Sequence, residues 1–403
     1  MDCNWIAIKK GVCYDDKRKI CIEGVQKLKI VFVSNYLNHH QLPLCKAFLD
    51  IKDVEFWFIA TEAVSMERRK FGYEDMDSSY GFVIRLYESK EEEKRALKKI
   101  EEANVIILSE NPKKYVHDMD KMVFIYSERF LRETKSFLSG VLDVLRAIKN
   151  HTLHQKKNTF VLCAGAYVAE DFRKIHAYQG RMYKWGYFPE IYEKSLEEAK
   201  RLKENEIVKI LWVGRFLEWK RPGQILELAR ELKNRGWNFT IDMIGSGEIE
   251  DEIKKKIRQY KLEQVVNMKG SMPVAQVRKY MDEANIFLFT SNKQEGWGAV
   301  LNEAMNSRCA IVANREIGSV PFLLQHGKNG LIYDGTVEDL IVQTEKLLSN
   351  ITLQMKYGDK AYETVYTEWN AYVAAHNFVQ LVQRLSAGEK CWKELQGPCG
   401  FEG

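Results

Sequence analysis

Two glutamates eight residues apart, Glu295 and Glu303, flank a glycine turn in the segment SNKQEGWGAVLNEAM, residues 291–305. On one straight helix that spacing would separate the two side chains by about 80°, at 3.6 residues per turn. Glu295 therefore reads as a loop residue and Glu303 as a helix residue facing the same cleft. Two acceptors so placed suit an elongated polyhydroxyl ligand. Between them, Gly296, Trp297 and Gly298 lead into a helix at Ala299 and Val300. Glycines ahead of a helix let backbone N–H groups come close to an anion, and the helix start favours negative charge. Either glutamate alone would read as a surface residue; the pair in a strand–loop–helix setting is the signal.

Complementary charge stands upstream. Gly214 closes an apolar run, and Arg215 and Lys220 follow it in VGRFLEWK. A bidentate guanidinium plus an ammonium can neutralise a departing diphosphate without a metal. An isolated loop cation is more often simply solvated, and the position straight after a strand favours a role for these two. Two more turns have the same setting: Gly245-Ser246-Gly247, and Lys269-Gly270-Ser271-Met272-Pro273.

These residues need strand ends to hold them, and the chain supplies strand–helix alternation almost throughout. Leu28–Ser34, Val54–Ala60, Phe82–Tyr87, Val105–Glu110, Met122–Glu128 and Asn158–Gly165 are short β-branched or aromatic runs with the look of buried parallel strands. The second half continues with Ile210–Gly214, FTIDMIGSG, VVNMKG, IFLFTS, CAIVAN and GLIYD. Alternation of this kind predicts an α/β fold with two doubly wound, Rossmann-like parallel sheets facing a cleft, with ligands at the carboxyl ends of the strands. The expected division is 1–26 unassigned, 27–194 as the first domain, 195–207 as a charged linker and 208–366 as the second domain. A helix over 367–387 should pack back on the first domain, followed by a tail over 388–403.

At 403 residues two domains are the default. With 61 basic and 56 acidic residues the net charge is +5, which carries no nucleic-acid signature. No run of about 18 apolar residues occurs, and the first residues lack the apolar stretch of a secretory signal. Eight scattered cysteines show no zinc spacing and fit a reducing compartment. A cytoplasmic protein is expected, with peripheral contact at the inner face of a membrane compatible with these features.

Taken in order, G-R-x4-K, G-S-G, K-G-x2-P, E-x7-E and G-x-N-G resemble the retaining glycosyltransferases of family 4, which have the GT-B fold. The likeness is strongest over Val208–Tyr333. It implies transfer of a sugar from a UDP- or GDP-linked donor to a glycan or lipid-linked saccharide, with no cofactor, no metal and no nucleic acid. By that likeness Arg215 and Lys220 hold the diphosphate, Glu295 the donor sugar and Glu303 the ribose. The backbone near Gly298 assists, and the Lys269–Met272 loop lies near the base. In the first half, His39, His40 and Gln41 stand where the family has a Gly-Gly loop, and Glu128 stands where a polar residue approaches the donor sugar. The segments GAYVAEDF and YKWGYFP resemble a subgroup tied to capsular and other cell-surface polysaccharides, whose other assembly enzymes would be partners. Tyr167, Asp171 and Trp185 within them read as packing or hinge residues.

Other readings fit less well. Asp75-Met76-Asp77 and Asp118-Met119-Asp120 are DxD sequences of the kind that hold a metal in GT-A transferases, but neither follows a convincing strand. A nicotinamide-dependent oxidoreductase would need glycines after the first strand, and residues 35–41 contain none. A pyridoxal-dependent phosphorylase would be larger. A sugar-nucleotide epimerase would carry more polar residues between its domains, and a non-catalytic scaffold would not need all four of Arg215, Lys220, Glu295 and Glu303.

Overall fold

The computed structural model describes residues 27–66, 75–109, 121–131, 137–153, 155–204, 206–389, 395 and 397–403. Among the described residues thirteen strands form two parallel sheets. The first holds β1 (Leu28–Ser34), β2 (Val54–Ala60), β3 (Val83–Arg85), β4 (Val105–Ser109), β5 (Met122–Ser127), β6 (Thr159–Ala164) and β7 (Met182–Trp185) in the order β3-β2-β1-β4-β5-β6-β7. The second holds β8 (Val208–Val213), β9 (Phe239–Ile244), β10 (Val266–Gly270), β11 (Ile286–Phe289), β12 (Ala310–Asn314) and β13 (Leu331–Tyr333) in the order β10-β9-β8-β11-β12-β13. In both sheets the winding reverses beside the first strand, between β1 and β4 and between β8 and β11. Helices leave in opposite directions there, opening a crevice at the strand carboxyl ends.

Burial follows from apolar content on both strand faces. Ile30, Val31, Phe32 and Val33 of β1 are all buried, as are Ile286, Phe287, Leu288 and Phe289 of β11. β7 is absent from the strands read in the sequence. It is only four residues long and carries Lys184, so no apolar run marks it. Its outer edge is covered by residues 399–403. The Lys184 amide donates to Gly400 O at 2.7 Å, and the Glu402 amide to Met182 O at 2.9 Å. Pairing of this kind removes an exposed sheet edge.

The segment 195–207 differs from the linker expected of it. Leu196–Leu202 is a helix, its start capped by the Ser195 hydroxyl accepting from the Glu198 amide. It is fastened to the second domain, since Lys203 Nζ donates to Met281 O and Ala284 O at the end of helix Val274–Glu283. The crossing between domains comes earlier, just after β7. There Asn302 Nδ2 donates to Tyr187 O at 3.3 Å, and Asn306 Nδ2 to Glu190 O at 2.8 Å.

The chain crosses back at Trp369, between helices Ile351–Thr367 and Ala371–Ser386. The Asn370 side chain caps the second helix by accepting from the Val373 amide. That helix lies on the first domain. The Phe378 ring is fully buried, with centroids 4.7 Å from Phe124, 5.6 Å from Phe48 and 5.9 Å from Trp185. Phe378→Ala should therefore destabilise the first domain by about 3–5 kcal/mol. Urea unfolding followed by tryptophan fluorescence would show the loss as a lower midpoint.

Candidate functional site

The switch point between β8 and β11 brings together residues 75 positions apart in sequence. β8 ends before Gly214, and Lys220 ends a single helical turn, Glu218–Lys220, beyond it. β11 ends at Phe289, and the loop after it carries Ser291 and Glu295. Lys220 Nζ is ion-paired with Glu295 Oε2, which also accepts from Ser291 Oγ at 2.8 Å. The two side chains are only 14% and 11% exposed, so they meet in a partly desolvated crevice where charge pairing is strong. Lys220 Nζ also lies 4.5 Å from the Trp219 ring centroid. Arg215 sits on the rim, exposed, and makes no ion pair among the described residues.

The remaining strand ends mainly build the walls of the crevice. Gly245 has φ +136°, and a Cβ there would stand 2.0 Å from Gly214 O; a Cβ on Gly247 would strike the Phe216 backbone. These glycines let the turn lie flat on the chain after β8. Gly270, at φ +68°, accepts from the Gly245 amide at 2.9 Å. Lys269 turns back to Asp242 Oδ1 at 3.3 Å, and Met272 packs on the apolar core. Gly298 has φ +82°, where a Cβ would press into the Phe289 ring.

Trp297 is placed differently from its neighbours in the turn. Its indole is fully buried, with Nε1 donating to Asn302 Oδ1 at 2.9 Å. A Cβ on Gly186 would come 2.3 Å from that ring. The ring also lies 5.9 Å from Trp369 and 6.3 Å from Phe322. Its side chain is thus committed to the joint between the domains, leaving only its backbone at the crevice.

The first domain brings Glu128 to this point. A Cβ on Gly296 would stand 2.4 Å from Glu128 Oε2, so the carboxylate rests against the glycine turn. Tyr187 donates its hydroxyl to Glu128 Oε1 at 2.9 Å. The segment YKWGYFP contains Tyr187, but no role for that residue is read from the sequence. It is one tyrosine of 19, and its role depends on the crossing that places it. Arg129, next in sequence to Glu128, is buried and pairs with Asp171 at 3.2 Å; Asp171 also accepts from the Phe130 and Leu131 amides. Asp171 and Arg129 thus set the backbone that aims Glu128.

Gln41 is buried behind the crevice, its Nε2 donating to Ser34 Oγ at 3.2 Å. His39 and His40 reach across to Glu303, with His40 Nδ1 3.9 Å from Glu303 Oε1. Burial pushes the His40 imidazole down to about 3 and raises the Glu303 carboxyl to about 7, with Arg278 opposing the rise. Asp77 braces the loop after β1, accepting from the Leu37 amide at 2.8 Å and from the Tyr87 hydroxyl at 3.2 Å. The second DxD, Asp118-Met119-Asp120, lies outside the described residues. Among the described residues no helix is long and apolar enough to cross a membrane.

Comparison with known proteins agrees with this architecture. Residues 193–364 match the model for glycosyl transferases group 1. Over 217 residues the chain is 29% identical to the amylovoran biosynthesis glycosyltransferase AmsK of Erwinia amylovora, covering 50% of each chain. Over 250 residues it is 22% identical to AmsD, another amylovoran biosynthesis glycosyltransferase of that organism, covering 60% of this chain and 64% of the other. The chain spans about half the length of the first of these relatives. Among solved structures, a glycosyltransferase from Rickettsia africae superposes with a TM-score of 0.67 at 12% identity, over 90% of this chain and 99% of that one. Anabaena HepE in complex with UDP and glucose gives 0.61 at 14% identity, over 90% and 99%. The fold is GT-B.

The raised Glu303 carboxyl makes stability depend on pH. Its folded value of about 7 lies above its ordinary 4.5, so the folded state holds the proton more tightly. The resulting stabilisation is complete below pH 4.5 and is lost as pH rises through 7. At 1.36 kcal/mol per unit, the difference between wild type and Glu303→Gln should change by about 3 kcal/mol across that window, in favour of glutamine at the upper end. Urea titrations of both proteins at about pH 4.5 and about pH 8 would measure it, and parallel stabilities would contradict it.

Proposed function

We propose that the protein, whose residues 193–364 match the model for glycosyl transferases group 1, moves a sugar from a nucleoside diphosphate to a glycan or lipid-linked saccharide, with retention at the anomeric carbon. The observation that carries the reading is the Lys220–Glu295 pair at the β8/β11 switch point, opposite Glu128 of the other domain. Lys220 and Arg215 neutralise the departing diphosphate, and the amides around Gly298 add donors at the same end. Glu295 holds donor-sugar hydroxyls while keeping the Lys220 ammonium in place. Glu303 accepts from the ribose.

The acceptor approaches from the first domain, and its hydroxyl attacks the face that the diphosphate leaves. The leaving phosphate takes the proton from that hydroxyl, so no enzymic nucleophile is needed. Glu128, steadied by the Tyr187 hydroxyl, lies where positive charge builds on the sugar ring. UDP or GDP is the carrier. The acceptor is a saccharide of cell-surface polysaccharide synthesis, a reading supported by the similarity to two amylovoran biosynthesis glycosyltransferases.

A panel of UDP- and GDP-sugars incubated with membrane extract tests the reading. Transfer of one sugar with retained anomeric configuration supports it; inversion, or turnover confined to interconversion of the nucleotide sugars, overturns it. Lys220→Ala should lower kcat by about 10²–10³-fold with the fold intact. Turnover should survive excess EDTA, because cations of the chain neutralise the diphosphate. Loss in EDTA, restored by Mn²⁺ and abolished by Asp75→Asn, would show a metal in that role.

A further inference from the structure

The cleft holds a group of side chains that sugar transfer does not fully use. His39 and His40 come from the loop after β1, and Glu303 from helix Val300–Asn306 of the opposite domain. The two imidazole centroids are 3.9 Å apart, and His40 Nδ1 is 3.9 Å from Glu303 Oε1. One potential ligand atom from each of the three lies within 4.8 Å of the others. His40 Nδ1 is buried and has no hydrogen-bond partner among the described residues. A polar nitrogen held dry in this way needs a partner, and its neighbours are another imidazole and a carboxylate.

We propose that His39, His40 and Glu303 bind Zn²⁺, and that the bound ion joins the two domains across the cleft and excludes the nucleotide from Glu303. Two imidazoles and a carboxylate are a zinc donor set, leaving a fourth tetrahedral position for water. Hard cations such as Mg²⁺ and Ca²⁺ prefer cages of oxygen, which these residues do not supply. Zinc bonds of about 2.0–2.2 Å require the ligand atoms to draw closer than they now stand. Because the histidines and the glutamate belong to different domains, a small closure of the cleft brings them into range.

Once bound, zinc occupies the carboxylate that the ribose would contact. This consequence rests on the function proposed above; the metal site itself does not. Zinc is therefore an off-switch for a reaction that needs no metal, and EDTA should raise activity in any preparation carrying zinc.

The test uses the full chain and the metal alone. Titration calorimetry with ZnCl₂ should show one equivalent bound, and Co²⁺ in its place should give the intense visible absorption of a tetrahedral site. His39→Ala, His40→Ala and Glu303→Gln should each weaken binding by at least about 10–100-fold. His376→Ala, on helix Ala371–Ser386, should leave it unchanged. Absence of stoichiometric binding, or binding indifferent to the three cleft variants, overturns the site. Buffered free zinc should also suppress transfer by the wild type, and activation by zinc would overturn the assigned role. A protein that binds zinc through these residues yet transfers no sugar refutes the proposed function alone. One that transfers sugar and binds no zinc refutes the metal site alone.

Discussion

The two domains meet through backbone that has no room for a side chain. The Gly296 carbonyl lies where a Cβ on Gly318 would come within 1.8 Å of it and one on Gly165 within 2.5 Å. The Ala166 amide donates to Gly318 O at 2.9 Å, tying the end of β6 to the turn after β12. Because backbone packs on backbone here, the carboxyl ends of the two sheets are held closer than side-chain packing allows. That closeness brings Glu128 to the glycine turn beside Glu295. Without it, the charges of the second domain would face an open crevice.

The same joint is stiffened by aromatic rings. Trp297 meets Gly186 at the first crossing of the chain and Trp369 at the second. Phe322 stacks on Trp369 with centroids 5.5 Å apart. One buried indole thus touches both connections between the domains and also sits in the turn between the two glutamates. Motion of one domain against the other must pass through this cluster. The site's geometry and the domain angle are consequently coupled at a single residue.

Much of this was legible in the sequence because it is local. Strand–helix alternation points to both sheets, since runs such as Leu28–Ser34 are apolar on both faces. Lys220, Glu295 and Glu303 were legible because each closes or follows such a run. Three features were not. β7 is too short and too polar to register, and its edge is completed by residues more than 200 positions away. The charged segment at 195–207 reads as a linker because its apolar face is little more than Ala199. Trp297 looks like a ligand residue by its position between two glycines, and only the placement of Gly186 shows that its ring turns inward. In each case the deciding partner is distant in sequence.

Completion of the first domain by late residues has a consequence for how the chain folds during synthesis. Phe48 and Phe124 emerge from the ribosome long before Phe378, the ring that covers them. Until residues 371–386 and 399–403 arrive, that face of the first sheet and the edge at β7 stand open to water. The strands from β8 to β13 pair among themselves, and the helices Val337–Leu348 and Ile351–Thr367 that complete their core are made before residue 371. The domain translated second can therefore mature first, and the nascent first domain is the stage at which chaperones would engage this protein.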